Sequence, residues 1–473
     1  LQNLKITGEI NAEDFYFMRD SMDVLQSLNM KEVIIKGDTE DRNNRMPNNA
    51  LYEKTTLLRM VLPDKLTTIE SEAFGGCVNL TGSLIIPEGV TDIKLNAFKE
   101  CASMTGSLSL PSTLKHIGEG AFRNSGFTCE LILPEGLEEI DRYAFHCCYN
   151  LYGTLRLPSK LVKISEGAFS TCIGFTGSLE IPDNVIEIGS NAFGFEGFDG
   201  YYTGNYNGTL KLPNGLISIG KGAFKGCGFR GELVLPDKLV SISDKTFALC
   251  DFSGTLKLPE TLTVIGQEAF EGNWRLMGTL EFSNELQSIG KKAFANCRSI
   301  EGVVFSESVE NIASDAFLDC FGIGSIVCKG TIPPYVQTGA FNGVHKDNFT
   351  LEVPESAITD YQTAVGWSDF KRISAHRELV CRPSIANAIN TQCTRRLVLN
   401  AEGDWEVESM PDWCSLSQNS GSKKTELTLT INEMAKGTTQ GRTGEIVFRL
   451  KDKDYTTKCS VSQYDYEYGE DEI

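Results

Sequence analysis

Leu155-Arg-Leu-Pro-Ser-Lys-Leu-Val-Lys-Ile-Ser-Glu-Gly-Ala-Phe169 is one copy of a unit that recurs through most of the chain. Leu155 and Leu157 alternate with Arg156, the pattern of a short strand with one buried face. Pro158 ends the strand, because proline lacks the N–H that a ladder needs. Leu161 and Ile164 turn inward again, and Phe169 fills the coil. The Ala-Phe pair of this unit stands at Phe74, Phe98, Phe122, Phe145, Phe169, Phe193, Phe224, Phe270, Phe294, Phe317 and Phe341, with Thr246-Phe247 in the one remaining slot. The spacing is 23 or 24 residues, except for one gap of 31. Pro63, Pro87, Pro111, Pro134, Pro158, Pro182, Pro213, Pro236 and Pro259 run in phase with it.

One such unit cannot bury its apolar side alone, whereas stacked copies supply one another's core. The period therefore predicts a solenoid of about 12 coils, built from short strands and short helical turns in an α/β arrangement. The middle residue of each strand should face outward: Ile85, Ser109, Ile132, Arg156, Glu180, Lys211, Val234, Lys257 and Glu281. Cysteine follows Phe by three positions at Cys77, Cys101, Cys148, Cys172, Cys227, Cys250, Cys297 and Cys320, with Ser125, Glu196, Asn273 and Val344 in the same slot elsewhere. Cysteine suits burial, and side chains that point the same way seldom reach disulfide torsions. The expectation is a row of buried free thiols.

Stacks expose apolar ends, so caps are expected. Phe15, Met18, Met22, Leu25 and Leu28 follow helical spacing behind a plausible N-cap, Asn11, and Val33-Ile-Ile35 reads as the first strand. Residues 351–373, with Tyr361, Trp367 and Phe370, read as a strand and short helix closing the far end. From about residue 378 the pattern becomes short strands separated by turn residues: Arg396–Leu399, Trp405–Val407, Thr425–Ile431, Glu445–Phe448 and Lys458–Val461. That predicts a small all-β sandwich. The expected boundaries are 1–55 for the first cap, 56–346 for the repeats, 347–377 for the second cap and 378–473 for the β domain with an acidic tail.

The chain has 473 residues and a formal net charge of −19. An acidic balance disfavours nucleic acid, whose phosphates call for Lys and Arg. Residues 1–10 show no basic segment followed by an apolar one, so the residues alone fit either a cytosolic chain or a mature fragment whose signal was removed, and any membrane attachment is expected through a segment outside this sequence. No zinc site is expected: His146 beside Cys147 and Cys148 has no second ligand pair at the right spacing. There is no G-x-S-x-G elbow. Gly215–Lys221 mimics a phosphate-binding loop, but Gly222 replaces the hydroxyl that would hold Mg²⁺. No catalytic residue, small-molecule cofactor or metal is therefore expected, and the chain reads as a binding protein, not an enzyme.

The 31-residue gap holds Phe195, Phe198, Tyr201, Tyr202 and Tyr206 among four glycines. Insertions in solenoids become loops on one face, and aromatic loops make good contact surfaces. These five are the candidate ligand-binding residues. The alternative is a loop folded back over its own coil.

The unit L-x-L-P-x-x-L-x-x-I-x-x-x-A-F-x-x-C resembles the BspA-like (Treponema-type) leucine-rich repeat over about 60–345. The segment with Asp404-Trp405, Pro411-Asp-Trp413, Ser420-Gly421, Arg442-Thr-Gly444 and Val461-Ser-Gln463 resembles a BACON domain, an immunoglobulin-like sandwich. These resemblances imply an exported protein of a Bacteroidetes-type bacterium, extracellular or displayed at the cell surface. They imply adhesin-like binding to host or microbial surface proteins, with glycan or mucin capture as the alternative. An exposed Trp405 or Trp413 would favour glycan.

Overall fold

The computed structural model describes residues 1–195, 204, 206–375, 379–389, 391–401, 403–422, 424–435, 441–451 and 456–464. It divides into two compact units, Leu1–Asp251 and Phe252–Ile473.

The first unit opens with strand β1 (Asn3–Ile10), helix α1 (Ala12–Ser21) and strand β2 (Ser27–Ile35). β2 lies between β1 and β3 (Arg59–Val61) and is parallel to both. Asn11 caps α1: its side chain accepts from the N–H groups of Glu13 and Asp14, and Asp14 accepts from the Asn11 N–H. The helix buries Phe15 and Met18. It stops sooner than the spacing predicts, because Leu28 already belongs to β2, whose pairing on both sides holds the backbone extended. The first strand is Asn3–Ile10, and Val33–Ile35 only finishes β2.

Each coil then offers three rows of backbone hydrogen bonds to its neighbours. The L-x-L row pairs Leu84-Ile85 with Leu108-Ser109, and Leu179-Glu180 with Leu210-Lys211. The row on the following Ile runs through Thr68-Ile69, Asp92-Ile93, His116-Ile117 and Glu139-Ile140, and again through Lys163-Ile164, Glu187-Ile188 and Ser218-Ile219. In the third row, the Phe98 N–H donates to the Ala121 carbonyl at 2.7 Å, Phe122 to Ala144 at 2.8 Å and Phe145 to Ala168 at 2.9 Å.

The third row is a turn, not the short helix the sequence suggests. The residues two before and two after Phe are both left-handed: Asn96 and Glu100, Gly120 and Asn124, Tyr143 and Cys147, Gly167 and Thr171. A right-handed helix cannot pass through either position. Asn49 and Glu53 repeat this pair around Leu51, whose N–H donates to the Ala73 carbonyl at 2.7 Å. Leu51 thus stands in a Phe slot and adds a coil that the Ala-Phe search misses. Lys54, in the matching Cys slot, donates from Nζ to the Arg19 carbonyl at 2.8 Å and fastens α1 to that coil.

Inside, the Phe rings form one column. Phe74 and Phe98 stack at 5.1 Å, Phe122 and Phe145 at 5.3 Å, Phe145 and Phe169 at 5.5 Å, and Phe193 and Phe224 at 5.4 Å. The long gap therefore leaves the stack unbroken. Beside it, the ladder thiols donate to the carbonyl in the Phe slot of the preceding coil: Cys77 to Leu51 at 3.1 Å, Cys101 to Phe74 at 3.3 Å, Cys148 to Phe122 at 3.0 Å, Cys172 to Phe145 at 3.0 Å. Ser125 makes the same bond to Phe98 at 2.8 Å. The slot selects a small buried donor, since a buried carbonyl left without one is costly. Burial pushes the Cys148 thiol up to about 12. Cys148→Ser should therefore keep stability within about 1 kcal/mol, whereas Cys148→Ala should lose about 1–3 kcal/mol. Urea unfolding of the two variants side by side checks this; equal losses would show that volume, not the donor, sets the slot.

In the second unit, strands β4 (Leu276–Glu281), β5 (Ile300–Phe305), β6 (Ser325–Cys328) and β7 (Leu351–Val353) form one parallel sheet. Helix α2 (Ile358–Thr363) follows, and β8 (Ile373–Ala375) pairs with β7. α1 and α2 are the two α-helices among the described residues. Within this unit Phe294, Phe317 and Phe341 stack in a ring column at 5.5 Å spacing. Trp367 closes it, 5.4 Å from Phe341, with its indole N–H on the Pro334 carbonyl at 2.8 Å.

The C-terminal part is all-β. One sheet has the order β9 (Leu379–Arg382), β11 (Cys393–Ala401), β15 (Thr425–Ile431), β13 (Cys414–Leu416). The other has β10 (Ile385–Ile389), β17 (Thr456–Tyr464), β16 (Arg442–Leu450), β12 (Asp404–Ser409), β14 (Ser420–Ser422). Both supply the same buried cluster, which includes Leu397, Leu429, Trp405, Phe448 and Val461. This part docks on the last coils through polar contacts: Arg382 with Glu352 at 2.7 Å, Arg395 with Glu301 at 3.3 Å, and the Ser384 hydroxyl on the Gly324 carbonyl at 2.6 Å.

Candidate interaction surface

The outward positions of the L-x-L row are exposed as the alternation requires, from Ile85 to Val234 in the first unit and at Lys257 and Glu281 in the second. They mix charge and apolar groups, and Lys211 pairs with Glu180 across coils.

A more uniform row stands beside the inward Ile. The residue after the buried Leu or Val of each coil is Thr67, Thr91, Lys115 and Glu138 in the early coils. It then becomes Val162, Ile186, Ile217 and Val240, at 58%, 50%, 53% and 53% exposure. The coils carrying them are adjacent: the Ile186 N–H donates to the Val162 carbonyl at 3.1 Å, and the Ile217 N–H to the Ile186 carbonyl at 2.9 Å. At about 4.8 Å per coil these four side chains make a stripe roughly 15 Å long. Folding does not demand apolar groups here, because Thr, Lys and Glu fill the same position without disturbing the ladder. β-propensity favours branched side chains, but Thr67 and Thr91 meet that preference with a hydroxyl. A continuous apolar row exposed to water is the kind of feature that marks a contact site. Sequence alternation hides it, since Leu161-Val162-Lys163-Ile164 reads as core with one polar interruption. The signal available was the change from polar to β-branched residues at one fixed repeat position.

In the aromatic insertion, Phe195 and Tyr206 lie within the described residues, while Phe198, Tyr201 and Tyr202 lie outside them. Phe195 is pinned by its N–H to the Lys225 carbonyl at 3.0 Å, and the Gly204 N–H bonds the Gly226 carbonyl. Tyr206 is a core residue: it is 4% exposed, with its ring 4.6 Å from Phe229 and 6.4 Å from Phe175. It takes the second aromatic slot of its coil, as Phe175 and Phe229 do in theirs. Its place in the structure is that of packing, not of a ligand contact.

Trp405 is fully buried, edge-on to Phe448 at 5.9 Å. Trp413 is half-buried beneath the Arg442 guanidinium, 4.6 Å from its ring centre. Neither presents an open ring face. A polar cluster gathers on the Ile row, where parallel pairing sets His116 opposite Glu139 and alternation brings Asp141 to the same face. His116 Nε2 lies 3.1 Å from Asp141 and 3.4 Å from Glu139, and Nδ1 lies 3.8 Å from Asp92. Burial works to raise the Asp92 carboxyl, but hydrogen bonds from Lys94 and Thr91 outweigh it and hold the group low. These contacts account for the cluster as an imidazole shared among carboxylates. No helix among the described residues is long and apolar enough to cross a membrane.

The family model described as the BspA type leucine rich repeat region matches six copies, over residues 44–176, 152–197 and 199–324. The BACON model, described as "Putative binding domain, N-terminal", matches residues 403–463. A leucine-rich repeat protein from Bacteroides ovatus ATCC 8483 is 21% identical at a TM-score of 0.53, covering 74% of this chain and 92% of that one. A leucine rich cell surface protein from Faecalibacterium prausnitzii A2-165 is 19% identical at a TM-score of 0.37, covering 69% and 88%. No curated protein matches. Stacked Phe coils, the hydrogen-bonded thiol row and a repeat model that spans most of residues 44–324 agree: the chain belongs to the BspA-type leucine-rich-repeat family and carries a C-terminal BACON domain.

Proposed function

We propose that this is a non-catalytic binding protein displayed at the cell surface, adhesin-like in action, which takes a protein partner along Val162, Ile186, Ile217 and Val240. The stripe carries the reading: four in-register apolar side chains are left in water where earlier coils place polar ones. Rigid β-branched groups on a hydrogen-bonded ladder bind with little loss of side-chain freedom. We read Phe195, Phe198, Tyr201 and Tyr202 as a second contact element, and the two C-terminal sheets as an immunoglobulin-like sandwich that presents the solenoid.

The test is an array of host matrix proteins, mucins and polysaccharides probed with the purified chain, with free-sugar controls. A protein ligand should be bound, and the Ile186→Lys, Ile217→Lys double variant should weaken it at least about tenfold. Its thermal unfolding should match the parent, since exposed substitutions usually change stability by less than about 0.5 kcal/mol. Deleting residues 196–203 reports separately on the insertion. Glycan-only binding, or protein binding untouched by the double variant, overturns this reading.

A further inference from the structure

Fifteen cysteines are free, and the ladder thiols are explained by packing. Cys147 is not. It occupies the left-handed position two residues after Phe145, with φ 59°. Gly76, Glu100, Asn124 and Thr171 fill that position in neighbouring coils. Nothing in the turn calls for sulfur there, and a non-glycine residue in this conformation costs about 1–2 kcal/mol.

The surroundings of Cys147 suit thiol chemistry. Its Sγ lies 3.2 Å from Nε2 of His146, which is itself nearly buried. On the other side stands Tyr149, whose hydroxyl is pushed up to about 12, first by its hydrogen bond to Cys147 and then by burial. Cys147 and Tyr149 line an open groove of about 410 Å³ together with Val78, Glu100, Ala102 and Asn124. The thiol therefore has a base in contact, a hydroxyl beside it and room for a small molecule. The ladder thiols have none of these, and burial pushes Cys77 and Cys250 up to about 12.

We propose that Cys147 is a thiol-exchange site that takes low-molecular-weight disulfides from solution. His146 accepts the Cys147 proton as sulfur attacks. The small disulfide's S–S bond breaks, a Cys147–S–S–R bond forms, and the proton passes to the departing RS⁻ to give RSH. One disulfide is consumed and one is made, so no outside oxidant is needed. Glu100 lines the groove with its carboxylate 3.5 Å from Lys99, and cystamine and glutathione disulfide serve as the cationic and anionic probes.

The test is peptide mapping by mass spectrometry after timed exposure of the native full chain to each disulfide. Cys147 should acquire the cystamine adduct at least about tenfold faster than the other half-buried thiols, Cys129 and Cys393. His146→Asn should slow Cys147 about tenfold while leaving Cys129 unchanged. Cys147→Gly should remove the fast adduct and fold at least as well, since glycine accepts this conformation freely. Cys147 reacting no faster than Cys129 overturns the site. An unchanged rate in His146→Asn overturns the role of the imidazole.

Discussion

Phe145→Ala should destabilise the first unit by about 3–5 kcal/mol, the largest single-residue loss expected there. Phe145 is fully buried between Phe122 at 5.3 Å and Phe169 at 5.5 Å. Removing the ring leaves a cavity and two unmatched ring faces, each aromatic pair adding about 0.5–1.5 kcal/mol beyond burial. Phe145→Leu should cost far less, about 1–2 kcal/mol, because Leu51 already fills a Phe slot with the same turn around it. The damage should also be local, since a repeat touches only its neighbours. Hydrogen exchange should show lost protection across the coils of Phe122, Phe145 and Phe169, with β1 and β2 still protected. Uniform loss through residues 1–251 would mean that the unit folds as one cooperative body.

That locality has the same origin as what could be read in the sequence. Positions fixed by the period are legible: the inward Leu and Ile, the Phe column and the outward residue of L-x-L all follow from a core that repeats. The turn around Phe is not. Its left-handed positions hold Asn96, Glu100, Tyr143 and Lys245 as well as glycines, so no residue type announces them. Without that signal an Ala-Phe segment looks helical. Leu51 and Lys54 escaped because the Phe and Cys markers are both replaced in that coil, and the backbone reveals the repeat through the left-handed pair Asn49 and Glu53 and the bond to Ala73. In the C-terminal part, the five expected strands lie within the strands formed. Those not foreseen are short or lie at sheet edges, such as Cys414–Leu416 and Ser420–Ser422, where pattern is thin. The insertion shows the limit most clearly. Tyr206 belongs to the core by its slot in the stack, and its setting among Gly and Tyr residues gives no hint of that.

The docking of the C-terminal part should depend on pH through Glu301. Its carboxylate is 1% exposed and sits 3.3 Å from Arg395, which is 13% exposed. Arg395 also donates to the Asn387 carbonyl at 2.9 Å and 2.6 Å, so it ties β10 to the pair. The second oxygen of Glu301 is buried and has no hydrogen-bond partner among the described residues. Burial is the larger influence and pushes Glu301 up to about 7; the charge of Arg395 pulls the other way without cancelling it. The folded state therefore holds the proton more tightly than the unfolded chain, where a glutamate titrates near 4.3. Its stabilising contribution is complete below about pH 4 and is lost as pH rises through about 7. A shift of this size corresponds to something on the order of 3 kcal/mol across that window. Urea unfolding of the second unit, followed by Trp405 and Trp413 fluorescence, should weaken between about pH 5 and pH 8 in the parent. Glu301→Gln, which keeps the shape and cannot ionise, should flatten that decline. Arg395→Ala should cost more at pH 8, where losing the guanidinium forces the buried Glu301 to take up a proton, than at pH 5, where Glu301 is already neutral. If the parent and Glu301→Gln decline in parallel, the pH response of this unit arises elsewhere.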